Sequence, residues 1–410
     1  MNLRKDADWI VRESIQAVLP DKAVYQALNE HDFGTNRIYI VAVGKAAWRM
    51  AKTAKEVLGR QIYQGIVVTK YQHVEGEIPG IRCYEAGHPI PDENSFKASQ
   101  EIIDLVSSLG KNDTVLFLLS GGGSSLFEKS LISEKEFEYI TCQLLACGAD
   151  IVEMNTVRKR LSAVKGGKFA QLCSPAQIFS IVLSDILEDS LDMIASGPAY
   201  PDSSTSEMAL QIVKKYNLHF SSQAMECLRK ETPKILTNVE TRVTGSVKEL
   251  CVAAARACEK LGYETMILTE QLSCEAREAG SFLASIAKSH QNAKKRIAYI
   301  AGGETVVHLV GNGKGGRNQE LVLSAAAGIE GLQETAIFSI GSDGTDGPTD
   351  AAGGYCDGNT GKHLRQQGVD IYESLQNNDA YSALEKCDGL IFTGPTGTNV
   401  NDVAVVLIRG

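Results

Sequence analysis

The feature that most constrains this chain is a repeated order of apolar run, glycine-rich turn and helix. Short apolar runs of the kind that form buried strands recur at 37–43, 66–69, 83–86, 114–119, 177–183, 264–268, 297–301, 336–340, 390–393 and 403–408. Segments of helical period stand between most of them. This alternation predicts an α/β fold with mostly parallel sheets. Glycine- or aspartate-rich loops stand where runs end, at 44, 120, 302, 341 and 394. Ligands bind at that end of open α/β sheets, so loops from both halves of the chain point to a cleft between two domains. With 410 residues the chain is too long for one ordinary core. Glu231-Thr232-Pro233 marks the expected boundary, dividing the chain into 1–232 and 233–410.

The densest loop lies between Arg296 and Glu320. Ile297–Ala301 reads as a strand, Gly302-Gly303-Glu304 interrupts it, and Val306–Val310 reads as a second strand. Gly311, Gly313, Gly315 and Gly316 follow, before a helix opening at Arg317-Asn318-Gln319-Glu320. A glycine turn between strand and helix presents N–H groups at the positive end of the helix dipole, a site for phosphate. Lys314 and Arg317 add positive charge. Gly311-x-Gly313-x-x-Gly316 also fits the dinucleotide fingerprint in form, although such turns often only close a tight connection.

Gly44-Lys45 ends the run 37–43 just before a helix. It is not a Walker A loop, since the earlier glycine is missing and Ala46 stands where Ser or Thr would hold magnesium. A solvated Lys45 is the bland reading, yet a cation at a helix N-terminus opposes the dipole, and a bound anion would remove the conflict. Ser120-Gly121-Gly122-Gly123-Ser124-Ser125 follows the run 114–119, with glycines for close approach and hydroxyls for oxyanions. It is not a G-x-S-x-G elbow. Asn155 to Lys168 is the most basic segment, where Arg158, Ser162 and Lys165 would share a helix face. A solvated face is its bland reading and anion recognition the sharper one. Asp185, at a strand end, suits a metal, a hydroxyl or a helix cap. Asp343, Asp346 and Asp350, spaced by glycines, suggest magnesium or a hydroxyl-binding loop without the EF-hand pattern. His88, in a proline-fixed loop, is a candidate substrate contact or base, against the structural role usual for a lone histidine.

A net charge of −9 argues against a broad basic face for nucleic acid. The N-terminus has no apolar signal core and no run is long enough to span a bilayer, so the reading is cytoplasmic, with no membrane partner. The ten cysteines lack a C-x-x-C pair and read as reduced thiols, and the seven histidines show no metal-ligand spacing. A homo-oligomer stays open.

Cations for phosphate, glycine loops for backbone contact and aspartates for magnesium are the set that phosphoryl transfer needs. A hydroxy-acid dehydrogenase needs one dinucleotide fold, an acid near the ribose and a proton relay, and Asp343 could be that acid. A non-catalytic sensor of a sugar acid or nucleotide is a third reading; the acidic loop from Asp343 to Asp350 counts against it, since binding alone would not require such a loop.

Gly44-Lys45-Ala46, Glu85-Ala86-Gly87-His88-Pro89, Leu119-Ser120-Gly121-Gly122-Gly123-Ser124-Ser125, Asn155-Thr156-Val157-Arg158, Lys165-Gly166-Gly167, Leu183-Ser184-Asp185, Ser196-Gly197-Pro198, Gly302-Gly303-Glu304, Gly316-Arg317-Asn318-Gln319-Glu320 and Ser342-Asp343-Gly344-Thr345-Asp346-Gly347 occur in this order. In order and spacing they resemble the class II glycerate kinases, the glycerate 2-kinases with an N-terminal kinase region and a C-terminal MOFRL domain. The resemblance runs from residue 5 to the end. It implies phosphorylation of D-glycerate at the 2-hydroxyl by ATP with Mg2+, giving 2-phosphoglycerate and ADP. It also implies two Rossmann-like α/β/α domains with the site in the cleft between them. Lys45 and Arg317 would be its functionally important cations, neutralising the transferring phosphoryl group or clamping the substrate carboxylate. Ser120, Gly121, Gly122, Gly123, Ser124 and Ser125 would bind phosphate oxygens, and Asn155, Arg158 and Lys165 would hold an anion. Gly302, Gly303, Glu304 and Asn318 would line the substrate site. Asp185 would orient the 2-hydroxyl or join Asp343 and Asp346 at the metal. An NAD(P)-dependent hydroxypyruvate reductase, a label members of this family have carried, is the alternative.

Overall fold

The computed structural model describes residues 2–88, 90–183 and 191–410. These form two compact units, residues 23–183 with 191–244 and residues 2–22 with 245–410.

The first unit is built on six parallel strands: β1 Arg37–Val43, β2 Ile62–Lys70, β3 Ile81–Ala86, β4 Asp113–Leu119, β5 Gln177–Leu183 and β6 Val239–Thr244. Their spatial order is β3-β2-β1-β4-β5-β6, that of a doubly wound Rossmann sheet. The run Asp-Thr-Val-Leu-Phe-Leu-Leu makes β4 buried at every position, as a central strand covered on both faces must be. Val43 pairs with Leu119, so β1 and β4 end at the same level and their following loops emerge side by side. The helix Ala47–Leu58 buries Ala47, Trp48, Met50, Ala51 and Ala54, and its three alanines let it lie close to the sheet while Trp48 and Met50 fill the core.

The second unit holds β7 Glu264–Leu272, β8 Ile297–Gly303, β9 Thr335–Gly341, β10 Gly353–Asp357, β11 Leu390–Ile391 and β12 Asp402–Ile408, ordered β11-β10-β9-β12-β8-β7. β7, β8, β9 and β11 run one way, and β10 and β12 are reversed. β12 lies between β8 and β9, which sets Asp402 opposite both Gly303 and Gly341, at the end of the sheet where two loops begin. The helix Leu3–Ala17 packs on the helix Val247–Lys260 in the core of this unit. Its buried Asp6 accepts from Tyr263 Oη and Arg409 Nη2, each at 2.6 Å.

The compact units differ from the sequence division at 232 in two places. Residues 2–22 bury their apolar stripe in the second unit, and β6 completes the first sheet, carrying the first unit to 244. Residues 306–310 do not form the expected strand. Val306 makes a single bridge with Glu275, and Leu309 and Val310 are exposed. No described helix is long and apolar enough to cross a membrane.

Candidate active site

The strand order of the first sheet reverses at β1 and β4, where a doubly wound sheet opens a crevice for ligands. Gly44-Lys45-Ala46 leaves β1 there and Ser120–Ser125 leaves β4. The two loops are stitched together: Ser120 N donates to Val43 O at 2.9 Å, Lys45 N to Gly121 O at 2.9 Å, and Ala46 N to Ser120 Oγ at 3.1 Å. Gly44 has φ +122°, and a Cβ on it would overlap Ser120, so glycine is required for the loops to meet. The N–H groups of Gly121 and Gly122 find no acceptor among the described residues. Lys45 is half-buried, and its ammonium has no carboxylate within ion-pair distance among the described residues. Its carbonyl accepts from His73 Nδ1 at 3.0 Å, which places a proton on that nitrogen. A cation with no counter-ion among the described residues, beside two open N–H groups, has the chemistry to bind an anion.

A hydroxyl chain borders this loop. Ser196 Oγ donates to Asn155 Oδ1 at 3.0 Å and lies 3.4 Å from Ser124 Oγ. Ala195 and Ser196 hold φ of +50° and +61°, a costly conformation for residues with a side chain and one that concentrates at functional sites. Buried Lys165 donates to Ser124 O at 2.6 Å and has Glu128 Oε2 at 3.5 Å, an ion pair without hydrogen-bond geometry. Burial pushes its pKa down to about 8, against the pull of Glu128.

The basic segment turns inward. Its helix, Ile151–Leu161, ends before Ser162, so Arg158, Ser162 and Lys165 do not share one helix face. Lys159 pairs with Asp192 at 3.2 Å and Asp202 at 3.0 Å. Arg160 binds Ser204 and Glu231, and Lys168 donates to the carbonyls of Lys159, Arg160 and Ser162. Lys159, Arg160 and Lys168 thus belong to a buried charge network and not to a solvated face. Arg158 differs: its guanidinium lies 5.6 Å from the Phe137 ring, its buried Nε has no partner, and no carboxylate pairs with it among the described residues. Asp185 lies outside the described residues.

In the second unit a cavity of 670 Å³ is lined by Glu304, Val307, Arg317, Asp343 and Thr345 among others. Arg317 opens the helix Arg317–Gly328 and is held by Asp402 through a two-pronged pair, Nε to Oδ2 at 2.6 Å and Nη2 to Oδ1 at 3.0 Å. Nη1 reaches the more exposed Glu304 at 2.6 Å. Burial disfavours the guanidinium charge, but Asp402 and Glu304 outweigh it and raise its pKa above the ordinary value.

The glycine loop before this helix spends most of its amides on its own chain. Val310 N and Gly311 N donate to Asn378 Oδ1, both at 2.9 Å, and Asn312 N to Asn377 Oδ1 at 3.2 Å. Gly313 N donates to Asn377 O at 2.8 Å and Lys314 N to Asp379 Oδ1 at 3.1 Å. The Lys314 ammonium sits 3.8 Å from the Tyr381 ring centre. The glycines admit the Asn377–Asp379 backbone, which a Cβ on Gly311 would overlap. The helix N-terminus carries its own anion: Asp346 accepts from Asn318 N at 3.1 Å and Gln319 N at 2.9 Å. Burial pushes the Asp346 pKa up to about 6, against those amides.

As a metal ligand Asp346 is the more encumbered, since it is buried and a backbone amide donates to each of its carboxylate oxygens. Asp343 fits better. It is half-buried in the cavity wall, and only Oδ1 is engaged, by Thr345 N at 2.9 Å and Thr345 Oγ1 at 3.2 Å. Among the described residues no group of three His, Cys, Asp or Glu is placed to hold a metal by itself. Asn318 is buried between Asp346 and Ser339 and does not face the cavity, contrary to expectation. Gly302 lies against Cys251 and Gly303 against Leu272, as packing glycines at the end of β8. Sequence reasoning missed Asp402, whose only signal is an acid at the mouth of an apolar strand, and Glu128, which has none.

Residues 6–229 match the family described as a domain of unknown function, DUF4147, and residues 297–402 match the MOFRL family. The chain is 54% identical, over 99% of both lengths, to a D-glycerate 2-kinase of Thermotoga maritima. It is 38% identical, over 100% of its own length and 98% of the relative's, to a glycerate 2-kinase of Pyrococcus horikoshii. A crystal structure of a glycerate kinase from Thermotoga maritima matches its fold with a TM-score of 0.96, at 54% identity and over 99% of each chain.

Proposed function

The chain belongs to the glycerate kinase family that carries a MOFRL domain, and from that premise we propose that it transfers the γ-phosphoryl group of ATP to the 2-hydroxyl of D-glycerate, giving 2-phosphoglycerate and ADP. The observation that carries the reading is Lys45, a cation without a carboxylate partner among the described residues, beside the open N–H groups of Gly121 and Gly122. Phosphoryl transfer asks the protein chiefly for positioning and for neutralisation of charge on the moving group. Lys45 and the Ser120–Ser125 loop supply both. Arg158 would hold a second anion, the glycerate carboxylate or a nucleotide phosphate. Arg317 is oriented by Asp402, so its Nη1 edge is the part free to exchange Glu304 for a phosphate or carboxylate. Asn155, through Ser196, would fix the Ser124 hydroxyl.

ATP comes as its magnesium complex, and Asp343 is the carboxylate that would hold the ion, which neutralises the β- and γ-phosphate oxygens when bound. One protein carboxylate suffices, because magnesium keeps most of its ligands as water and nucleotide oxygens.

The reductase alternative is disfavoured by the loop 311–316. The amides of Gly311, Asn312, Gly313 and Lys314 are committed to Asn377, Asn378 and Asp379, which leaves only those of Gly315 and Gly316 without an acceptor among the described residues. The test is ADP release from ATP and magnesium. The reading expects release that depends on D-glycerate and no oxidation of NADH or NADPH by hydroxypyruvate; the opposite pattern would establish the reductase, and ligand binding without either reaction the sensor.

A further inference from the structure

We propose that His88 is the general base that takes the proton of the substrate 2-hydroxyl as the phosphoryl group arrives. The proposal rests on the kinase reading and adds a catalytic residue to it. In the step, the hydroxyl O–H bond breaks and its proton passes to the imidazole Nε2 lone pair. The freed oxygen bonds to the γ-phosphorus. The bond from that phosphorus to the β,γ-bridging oxygen breaks, and its electron pair leaves on ADP. The imidazolium then returns the proton to water, so each turnover releases one proton.

Three observations support it. The loop after β3 lays the His88 ring against the glycine loop of the switch point. His88 Cδ2 and Nε2 each lie 3.0 Å from where a Cβ on Gly122 would stand, and Lys45 Cγ lies 3.3 Å from the same point. Lysine, imidazole and open amides thus converge on one spot, and Gly122, at φ +86°, is the residue that leaves room for them. Next, the ring is half-buried and neither nitrogen has a hydrogen-bond partner among the described residues, so Nε2 is uncommitted. Finally, the surroundings keep the imidazole neutral. Burial lowers its pKa from 6.5, and Lys45 on the loop after β1, Lys70 at the end of β2 and His73 just beyond lower it further. The nearby acids face other donors: Glu85 Oε1 accepts from His73 N and Val74 N, and Asp92 accepts from Tyr71 Oη and Ser95 N. A neutral imidazole beside a phosphate-binding lysine can accept a proton at physiological pH, whereas an imidazolium cannot.

The experiment is the pH dependence of D-glycerate phosphorylation by the wild-type chain and by His88→Asn, with His88→Ala assayed in added imidazole. The wild type should show an acid limb in kcat/KM with a pKa below 6.5. His88→Asn should lose that limb and about 10²–10⁴-fold in kcat, while KM for both substrates moves less than about threefold. Imidazole should restore part of the His88→Ala turnover. A wild-type profile without such a limb overturns the proposal whatever the variants do. So does a folded His88→Asn protein, judged by circular dichroism and thermal unfolding, that keeps kcat or changes only KM. If the wild type itself releases no ADP with D-glycerate, the kinase reading fails; a working wild type with an indifferent His88→Asn sinks only the base.

Discussion

Replacing Gly311 by alanine separates two meanings of a glycine-rich loop. In the structure a Cβ there stands under 3.0 Å from Asn377 O, C and Cα, all backbone atoms that cannot swing aside. Overpacking of this kind costs about 1–3 kcal/mol. Moving the loop also stretches the two bonds from Val310 N and Gly311 N to Asn378 Oδ1, each worth about 1 kcal/mol net. The expected loss is about 3 kcal/mol, which for a unit of this size lowers the thermal midpoint by about 6–12 °C. Scanning calorimetry would read it in the transition of the second unit, with KM for ATP measured on protein held well below that transition. The packing account predicts a large fall in midpoint and a KM near that of wild type. A midpoint within about 2 °C of wild type together with a tenfold rise in KM would refute it, and would mean that the loop touches phosphate.

Lys45→Ala should lower turnover by about 10²–10³-fold with an unchanged unfolding midpoint, since among the described residues the ammonium has no carboxylate to lose; near-normal kcat would remove Lys45 from the mechanism. Asp202→Ala should cost about 3–5 kcal/mol, because it leaves the buried Lys159 charge without its 3.0 Å partner; a urea midpoint within error of wild type would contradict the buried network. Burial alone would raise the Asp202 pKa, but Lys159, Thr232 and Ser204 outweigh it and hold the carboxyl below its unfolded value of 3.8. Its contribution is therefore present above pH 3.8 and lost as pH falls through the lower folded value, so wild-type stability should fall with pH below 3.8 while Asp202→Ala shows a shallower fall.

Most of the first sheet was legible because its strands are apolar and separated by helices of clear period. β6 and β10 were not. Val239–Thr244 is half-exposed and carries Glu240 and Arg242, and Gly353–Asp357 begins with two glycines, so neither reads as a strand until its neighbours are known. That Lys45 and Ser120–Ser125 lie together was legible because both follow the ends of long apolar runs. The placement of Lys159, Arg160 and Lys168 was not, since burial against Asp202, Glu231 and backbone carbonyls depends on tertiary partners that composition does not reveal. The partners of the Gly311 to Lys314 amides were hidden for the same reason. The spelling that frees amides for phosphate also lets a second backbone take them.

The most direct measurement is the identity of the phosphorylated product. Purified chain, ATP, magnesium and D-glycerate would be coupled to enolase, which acts on 2-phosphoglycerate and not on the 3-isomer. The account predicts enolase-competent product in step with ADP release. ADP without enolase-competent product would place the phosphoryl group on another oxygen, or on water, and would contradict the claim that this chain phosphorylates the 2-hydroxyl.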